Sequence, residues 1–371
     1  MVDLKSQYEK IKEEVNASIQ DVLENNTYIN GPLVHQFQAD LETYLGAKHV
    51  IPCANGTDAL QIAMMGLGLQ PGDEVITADF TFAATVEVIA LLQLTPVLVD
   101  VDINNMNISL DGIRKAITPK TKAIVPVHLF GRAANMDAIM EIANEHNLYV
   151  IEDNAQAIGA DYTNKDGVKK KVGTIGHVAA TSFFPSKNLG CYGDGGAIYT
   201  NDDDLAHIIR GIVNHGMYER YHHDVVGVNS RLDSIQAGVL KAKLPHLDTY
   251  NRARQDAARK YTLALGVNPN IVAPTICENC DCHVFHQYVI RITNGKRDAL
   301  LAHLQEKEIP CAIYYPIPLH SQEAYADVRY KEEDFPVTNQ LCKEVIALPM
   351  HTELDDEQIK FITDTVLEFL K

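Results

Sequence analysis

Between His49 and Asp153 short apolar runs alternate with stretches of helical periodicity, and this alternation constrains the fold more than any other feature of the chain. The runs are His49–Ala54, Glu74–Ala78, Pro96–Val101, Ala123–His128 and Leu148–Asp153. Helical patterns fill the gaps, over Asp58–Leu67, up to Leu91, and around 109–117 and 136–146. Short, wholly apolar runs are strands buried on both faces, and strands separated by helices pair in parallel. The expectation is an α/β fold with a mainly parallel sheet covered on both sides.

The chemistry gathers at the ends of two strands. Leu148-Tyr-Val-Ile-Glu-Asp153 stops at two carboxylates, and the carboxyl ends of parallel strands face the ligand. Further on, Lys187 lies between an apolar strand that ends at Ser182 and the glycines Gly190, Gly193, Gly195 and Gly196, which allow tight turns and close approach of backbone to a ligand. A lysine amine that condenses with an aldehyde, a carboxylate for a pyridinium nitrogen and a serine for a phosphate are together what pyridoxal 5'-phosphate (PLP) requires. On the residues alone, a solvated Asp–Lys pair fits equally. The turn Asn55-Gly56-Thr57 before a helix is an anion site or an ordinary connection.

At 371 residues and 46% hydrophobic the chain exceeds one ordinary core. The pattern changes near residue 245, where the long polar helix Leu247–Leu265 begins, carrying Arg252, Arg254, Arg259 and Lys260. This marks a large domain over 1–246, opened by a helical segment with Ile11, Val15, Ile19 and Val22, and a smaller α/β domain over 247–371. A formal charge of −17 with no basic run excludes nucleic acid as a partner. The N-terminus lacks a signal pattern and no apolar run reaches membrane-spanning length, so no membrane partner and a cytoplasmic location are expected. Seven cysteines, four of them single in apolar segments (Cys53, Cys191, Cys311, Cys342), suit reduced thiols. No metal is expected. His215, His222 and His223 lack acids at ligand spacing, and Cys277-Glu-Asn-Cys280-Asp-Cys282-His283 is too compact to close a zinc tetrahedron without strain.

Glu152-Asp153-Asn-Ala-Gln-Ala157 and Ser182-Phe-Phe-Pro-Ser-Lys187, followed by Gly193-Asp-Gly-Gly196, resemble the sugar-nucleotide aminotransferases of the DegT/DnrJ/EryC1/StrS family. The likeness runs over nearly the whole chain, including Tyr28-Ile-Asn-Gly-Pro32 and the small-domain strand at His283-Val-Phe-His286. It implies a fold type I PLP-dependent transferase with a mostly parallel seven-stranded sheet. Lys187 would hold PLP and shuttle the proton, Asp153 would face the pyridine nitrogen, and Gln156 the ring hydroxyl. Phe82 would stack on the ring; Ser182, Gly56 and Thr57 would anchor the phosphate. Asn229 would reach the phosphate of a partner's site, making the active unit a homodimer with shared active sites. A histidine in place of the lysine marks the family's dehydratase branch, which Lys187 argues against.

Within the resemblance, Gly227-Val-Asn-Ser-Arg-Leu-Asp233 is similar to members that aminate C3 of a keto sugar. It implies glutamate as donor and a UDP-linked acceptor, UDP-2-acetamido-2-deoxy-3-oxo-glucuronate, in surface polysaccharide (lipopolysaccharide O-antigen) biosynthesis. Arg231, Tyr314, Tyr315 and His320 would contact that substrate. Tyr314-Tyr315-Pro316 departs from the His-Tyr-Pro of some relatives, and a dTDP-linked 3-keto-6-deoxyhexose stays open. So does a non-catalytic sensor or regulator on the same fold.

Overall fold

The computed structural model describes residues 1–276 and 282–371. Helix α1 (Leu4–Asn25) ends where Asn26 takes a left-handed conformation, and α2 (Pro32–Leu45) opens on a proline and stops at Gly46 (φ +66°), the stop signals expected of those residues. There follow β1 (His49–Cys53), α3 (Gly56–Gly66), β2 (Glu74–Ala78), α4 (Ala84–Leu91), β3 (Thr95–Val99), α5 (Leu110–Ala116), β4 (Thr121–Val125), α6 (Met136–His146) and β5 (Tyr149–Asp153). After a small hairpin, β6 (Asp161–Thr163) and β7 (Lys169–Lys171), come β8 (Val178–Ser182) and β9 (Gly196–Thr200).

Seven of these strands form one sheet in the order β1-β9-β8-β5-β4-β2-β3. β9 runs antiparallel to both neighbours; the pairs among β8, β5, β4, β2 and β3 are parallel. Successive residues of a strand enter opposite cores. Ile76, Ile124 and Val150 pack with Ile139 and Ile142 of α6, whereas Val75, Ala123, Val125 and Ile151 pack with Leu60 of α3. Burial on both faces is why these strands read as continuous apolar runs.

Helix α7 (Asp203–Ile212) leads into a hairpin, β10 (Met217–Glu219) and β11 (His222–His223), and then α8 (Ser234–Lys243), against which α1 packs through Ile11, Val15, Val239 and Ala242. A separate core begins with α9 (Leu247–Leu265). It joins a three-stranded sheet of β12 (Ile271–Val272), β13 (Tyr288–Ile292) and β14 (Val345–Leu348) to α10 (Arg297–Glu306) and α12 (Asp356–Phe369). Between them, α11 (Pro336–Glu344) packs back on the large sheet through Leu341 and Cys342. Cys277 and Cys280 lie outside the described residues.

Candidate active site

β5 and β8 are neighbours in parallel register, Asp153 opposite Ala180, so the carboxylate that ends β5 and the Ser182 that ends β8 emerge on the same edge of the sheet. A cavity of about 690 Å3 opens there. Asp153, Gln156, Ser182 and Lys187 line it, as do Gly56 and Thr57 from the start of α3. Phe82, Tyr314 and Tyr315 form its aromatic wall. Tyr315 lies 6.3 Å from Phe130 in a stacked arrangement and 6.3 Å from Phe82, which is 58% exposed.

Asp153 is buried at the floor, and Lys187, which lines the same cavity, is half-buried. Thr85 donates its hydroxyl to Asp153 Oδ2 at 2.8 Å and the Ala155 amide donates to Oδ1 at 3.1 Å. Burial nevertheless pushes the Asp153 carboxyl above its usual range, against those hydrogen bonds and the charge of Lys187. Burial also lowers Lys187, to about 8, with Asp153 opposing. Among the described residues its Nζ makes no hydrogen bond within 3.5 Å. At pH 7 such an amine is neutral in roughly one molecule in ten, against about three in ten thousand for a free lysine. An amine that is partly neutral near pH 7 is able to attack a carbonyl carbon.

The start of α3 is built for an anion. Asn55 caps it by accepting from the Asp58 amide at 2.8 Å, and the first-turn residues Gly56 and Thr57 border the cavity. A Cβ at Gly56 would stand 2.6 Å from Ser182 Cβ, so only glycine lets the helix terminus and the serine close on one site. A helix start, a half-buried lysine and a strand-end carboxylate around one cavity fit a phosphorylated pyridine aldehyde.

Other residues have partners within the chain. The Gln156 carboxamide accepts from the Phe130 amide at 2.6 Å and donates to the Tyr315 hydroxyl at 3.1 Å, so it braces the aromatic wall. His320 does not line the cavity. It is buried against Asp79, which accepts from its backbone amide and its Nδ1, both at 2.7 Å, and it stacks on Phe335. Placed there, it ties the Tyr314–His320 loop to the β2–α4 connection. Arg231 is also absent from the lining: Nη1 donates to Asn214 and Nη2 to Asn229, at 3.1 and 2.8 Å. Asn229 does not border its own chain's cavity. The histidine trio is used locally, His223 donating to the His215 carbonyl at 2.8 Å. Among the described residues no group of three or more His, Cys, Asp or Glu is placed to hold a metal.

Three residues at or behind the cavity were not singled out from the sequence as site residues. Thr85 carries no signal beyond its place in an apolar helix. His286 lines the cavity, buried, with Nδ1 unpartnered; burial, Lys187 and Arg254 hold it well below its ordinary pKa and so neutral. Arg254 stands behind it, fully buried, donating to the carbonyls of Phe285, His286 and Met350 at 3.2–3.3 Å. Its signal was present: 254 falls on the apolar stripe Leu247, Tyr250, Ala257, Tyr261, Leu265 of α9.

The model of the DegT/DnrJ/EryC1/StrS aminotransferase family matches residues 9–367. UDP-2-acetamido-2-deoxy-3-oxo-D-glucuronate aminotransferase of Pseudomonas aeruginosa is 48% identical over 97% of both chains. A protein of Geobacillus stearothermophilus named pleiotropic regulatory protein is 46% identical over 100% of this chain and 98% of its own. Among solved structures, NtdA of Bacillus subtilis with bound cofactor PMP superposes with a TM-score of 0.90 at 29% identity, covering 97% of this chain and 82% of that one.

Proposed function

The chain belongs to the DegT/DnrJ/EryC1/StrS aminotransferase family, and from that premise we propose that it moves an amino group from glutamate to C3 of a UDP-linked 3-keto uronate, UDP-2-acetamido-2-deoxy-3-oxo-glucuronate, for surface polysaccharide synthesis. It is a PLP-dependent sugar-nucleotide aminotransferase of fold type I. The observation that carries the chemistry is the convergence of Lys187, Asp153, Ser182 and the start of α3 on one cavity.

PLP, when bound, supplies an aldehyde carbon that takes up the amine and a pyridine ring that stores the electron pair released as a C–H bond breaks. Gly56, Thr57 and Ser182 would hold its phosphate and Phe82 would cover its ring. Asp153, oriented by Thr85 and Ala155, would keep a proton on the pyridine nitrogen. Lys187 would hold the cofactor at rest and, once freed by the incoming amine, take the proton from the donor's Cα on Nζ and deliver it again. The aromatic wall and the neutral His286 would exclude water from that transfer.

The acceptor rests on the P. aeruginosa relative and on Arg231. A bidentate arginine–carboxylate pair contributes about 1.5–3 kcal/mol, one to two powers of ten in binding, and lysine lacks the fork. Run in reverse with 2-oxoglutarate, the enzyme should turn over the UDP-linked 3-amino uronate at least about tenfold faster than its neutral 6-hydroxyl analogue, and Arg231→Lys should raise KM for the uronate alone. Equal losses for both sugars would reduce Arg231 to the brace on Asn229 that it makes within its own chain. Reaction only with dTDP-linked 3-keto-6-deoxyhexoses would replace the acceptor.

The active unit would be a homodimer in which Asn229 serves the partner's phosphate site. Mixing Lys187→Ala with Asn229→Ala chains should restore activity, because one site of each mixed dimer carries neither lesion. Continued inactivity despite measured subunit exchange would leave each site self-contained. The regulatory name of the G. stearothermophilus relative favours a second reading, a sensor on the same fold; the intact Lys187 and Asp153 favour catalysis. Among the described residues no helix is long and apolar enough to cross a membrane, which suits a reaction in the cytoplasm.

A further inference from the structure

The loop that carries Lys187 is held from behind by a second lysine. Lys243, at the last turn of α8, is 1% exposed and does not border the cavity. Its Nζ donates to the Gly190 carbonyl at 2.7 Å and sits 4.5 Å from the centre of the Tyr192 ring. Among the described residues it has no carboxylate within 4 Å. Gln236, two turns earlier on α8, accepts from the Tyr192 amide at 2.8 Å, so one helix grips the loop at two successive points. Opposite them, Asn188 donates to Asn251 at 2.8 Å and to the Val284 carbonyl at 2.9 Å. Lys187 therefore lies in a loop closed by its own amide on the Phe184 carbonyl and by the Cys191 amide on the Phe183 carbonyl, both at 2.8 Å, and pinned on both sides.

We propose that Lys243 is a positioning residue for the reaction, its ammonium fixing the Gly190 carbonyl and with it the 183–195 loop that presents Lys187. An ammonium without an acid is an expensive way to fill a core: an apolar side chain of similar length would pack there without desolvating a charge. Burial lowers Lys243 to about 8, the mark of a group that folding disfavours in its charged form. What the apolar replacement would lack is a donor to Gly190. A loop that must return Lys187 to one place after each transfer gains from that donor, because small misplacements of a reacting group cost large factors in rate.

The proposal rests on Lys187 being the reacting lysine, yet its test reads the loop without the cofactor. Amide hydrogen exchange of the cofactor-free full chain is compared for wild type, Lys243→Met and Lys243→Arg. Peptides covering 183–195 should exchange at least tenfold faster in Lys243→Met while those covering β5 stay unchanged, and Lys243→Arg, which keeps a donor, should regain protection to within threefold. In the loaded enzyme kcat should fall about tenfold or more in Lys243→Met, with KM for glutamate within twofold and a melting temperature no lower than wild type. Unchanged protection of 183–195, or faster exchange spread evenly over the chain with no recovery in Lys243→Arg, would overturn it. Should Lys243→Met yield no folded chain, Lys243→Arg decides: wild-type-like protection supports the role and a tenfold loss confined to the loop contradicts it. Borohydride labelling of Lys187 separates a failure of this proposal from a failure of the active-site assignment.

Discussion

Lys187→Ala is expected to lower kcat by roughly 10^3-fold or more, about 4 kcal/mol of barrier, the scale of losing a positioned acid–base group together with the cofactor's anchor. The protein should not become less stable in exchange. The folded chain holds Lys187 at about 8 whereas the unfolded chain holds it near 10.5, so between those values the unfolded state binds the extra proton. Stability of the cofactor-free chain should accordingly rise as pH climbs from about 8 toward 10.5, and below that window the desolvated ammonium lowers it. Lys187→Met removes the charge and keeps most of the stem. Its cofactor-free form should melt at or above the wild type at pH 7 and lose the rise between pH 8 and 10.5. Thermal melts of both proteins across that range check this directly, and a lower melting point for Lys187→Met would place the lysine among the structural residues.

Asp153→Asn should lower kcat by about 10^2–10^3-fold, comparable to removing one preorganised electrostatic group from other active sites. The substitution keeps shape and an acceptor oxygen for the Ala155 amide, and the Thr85 hydroxyl can turn to accept from the new amide. What disappears is the charge that would keep the pyridine nitrogen protonated. Burial has raised this carboxyl above its unfolded value, so its stabilising contribution is complete at low pH and is lost as pH rises through the folded value. Asp153→Asn should then cost nothing in stability at neutral pH while slowing both half-reactions. Steady-state rates beside calorimetry test this; a matched fall in melting temperature and kcat would make the defect one of folding.

The large sheet was legible because its strands are buried on both faces, which leaves uninterrupted apolar runs, and because helices separate the parallel ones. The floor of the cavity was legible for a related reason: Asp153, Ser182 and Lys187 sit at or just beyond strand ends, where sequence order already fixes which edge they leave from. Groups that depend on distant partners were not. Thr85 meets Asp153 from another element, and nothing in an apolar helix announces it. His320 looked like a polar loop residue free to meet a substrate, yet Asp79, far earlier in the chain, claims both its amide and its ring. Arg231 offered a fork in the sequence, but nothing there announced Asn214 and Asn229, to which its terminal nitrogens each donate one N–H and keep a second. Lys243 and Arg254 were readable in principle, since each falls on the buried face of its helix, but a charged side chain in such a stripe gives no hint of which carbonyl it serves.

Every step proposed above depends on Lys187 holding PLP and moving the proton. Reduction of the PLP-loaded enzyme with borohydride, followed by proteolysis and peptide mass measurement, tests it most directly, because reduction makes the linkage between cofactor and amine permanent wherever it lies. One modified peptide is expected, carrying the cofactor on Lys187, with loss of activity in proportion to its yield. A cofactor found on any other lysine, or a fully reduced and unlabelled Lys187 in an enzyme that had been turning over, would contradict it.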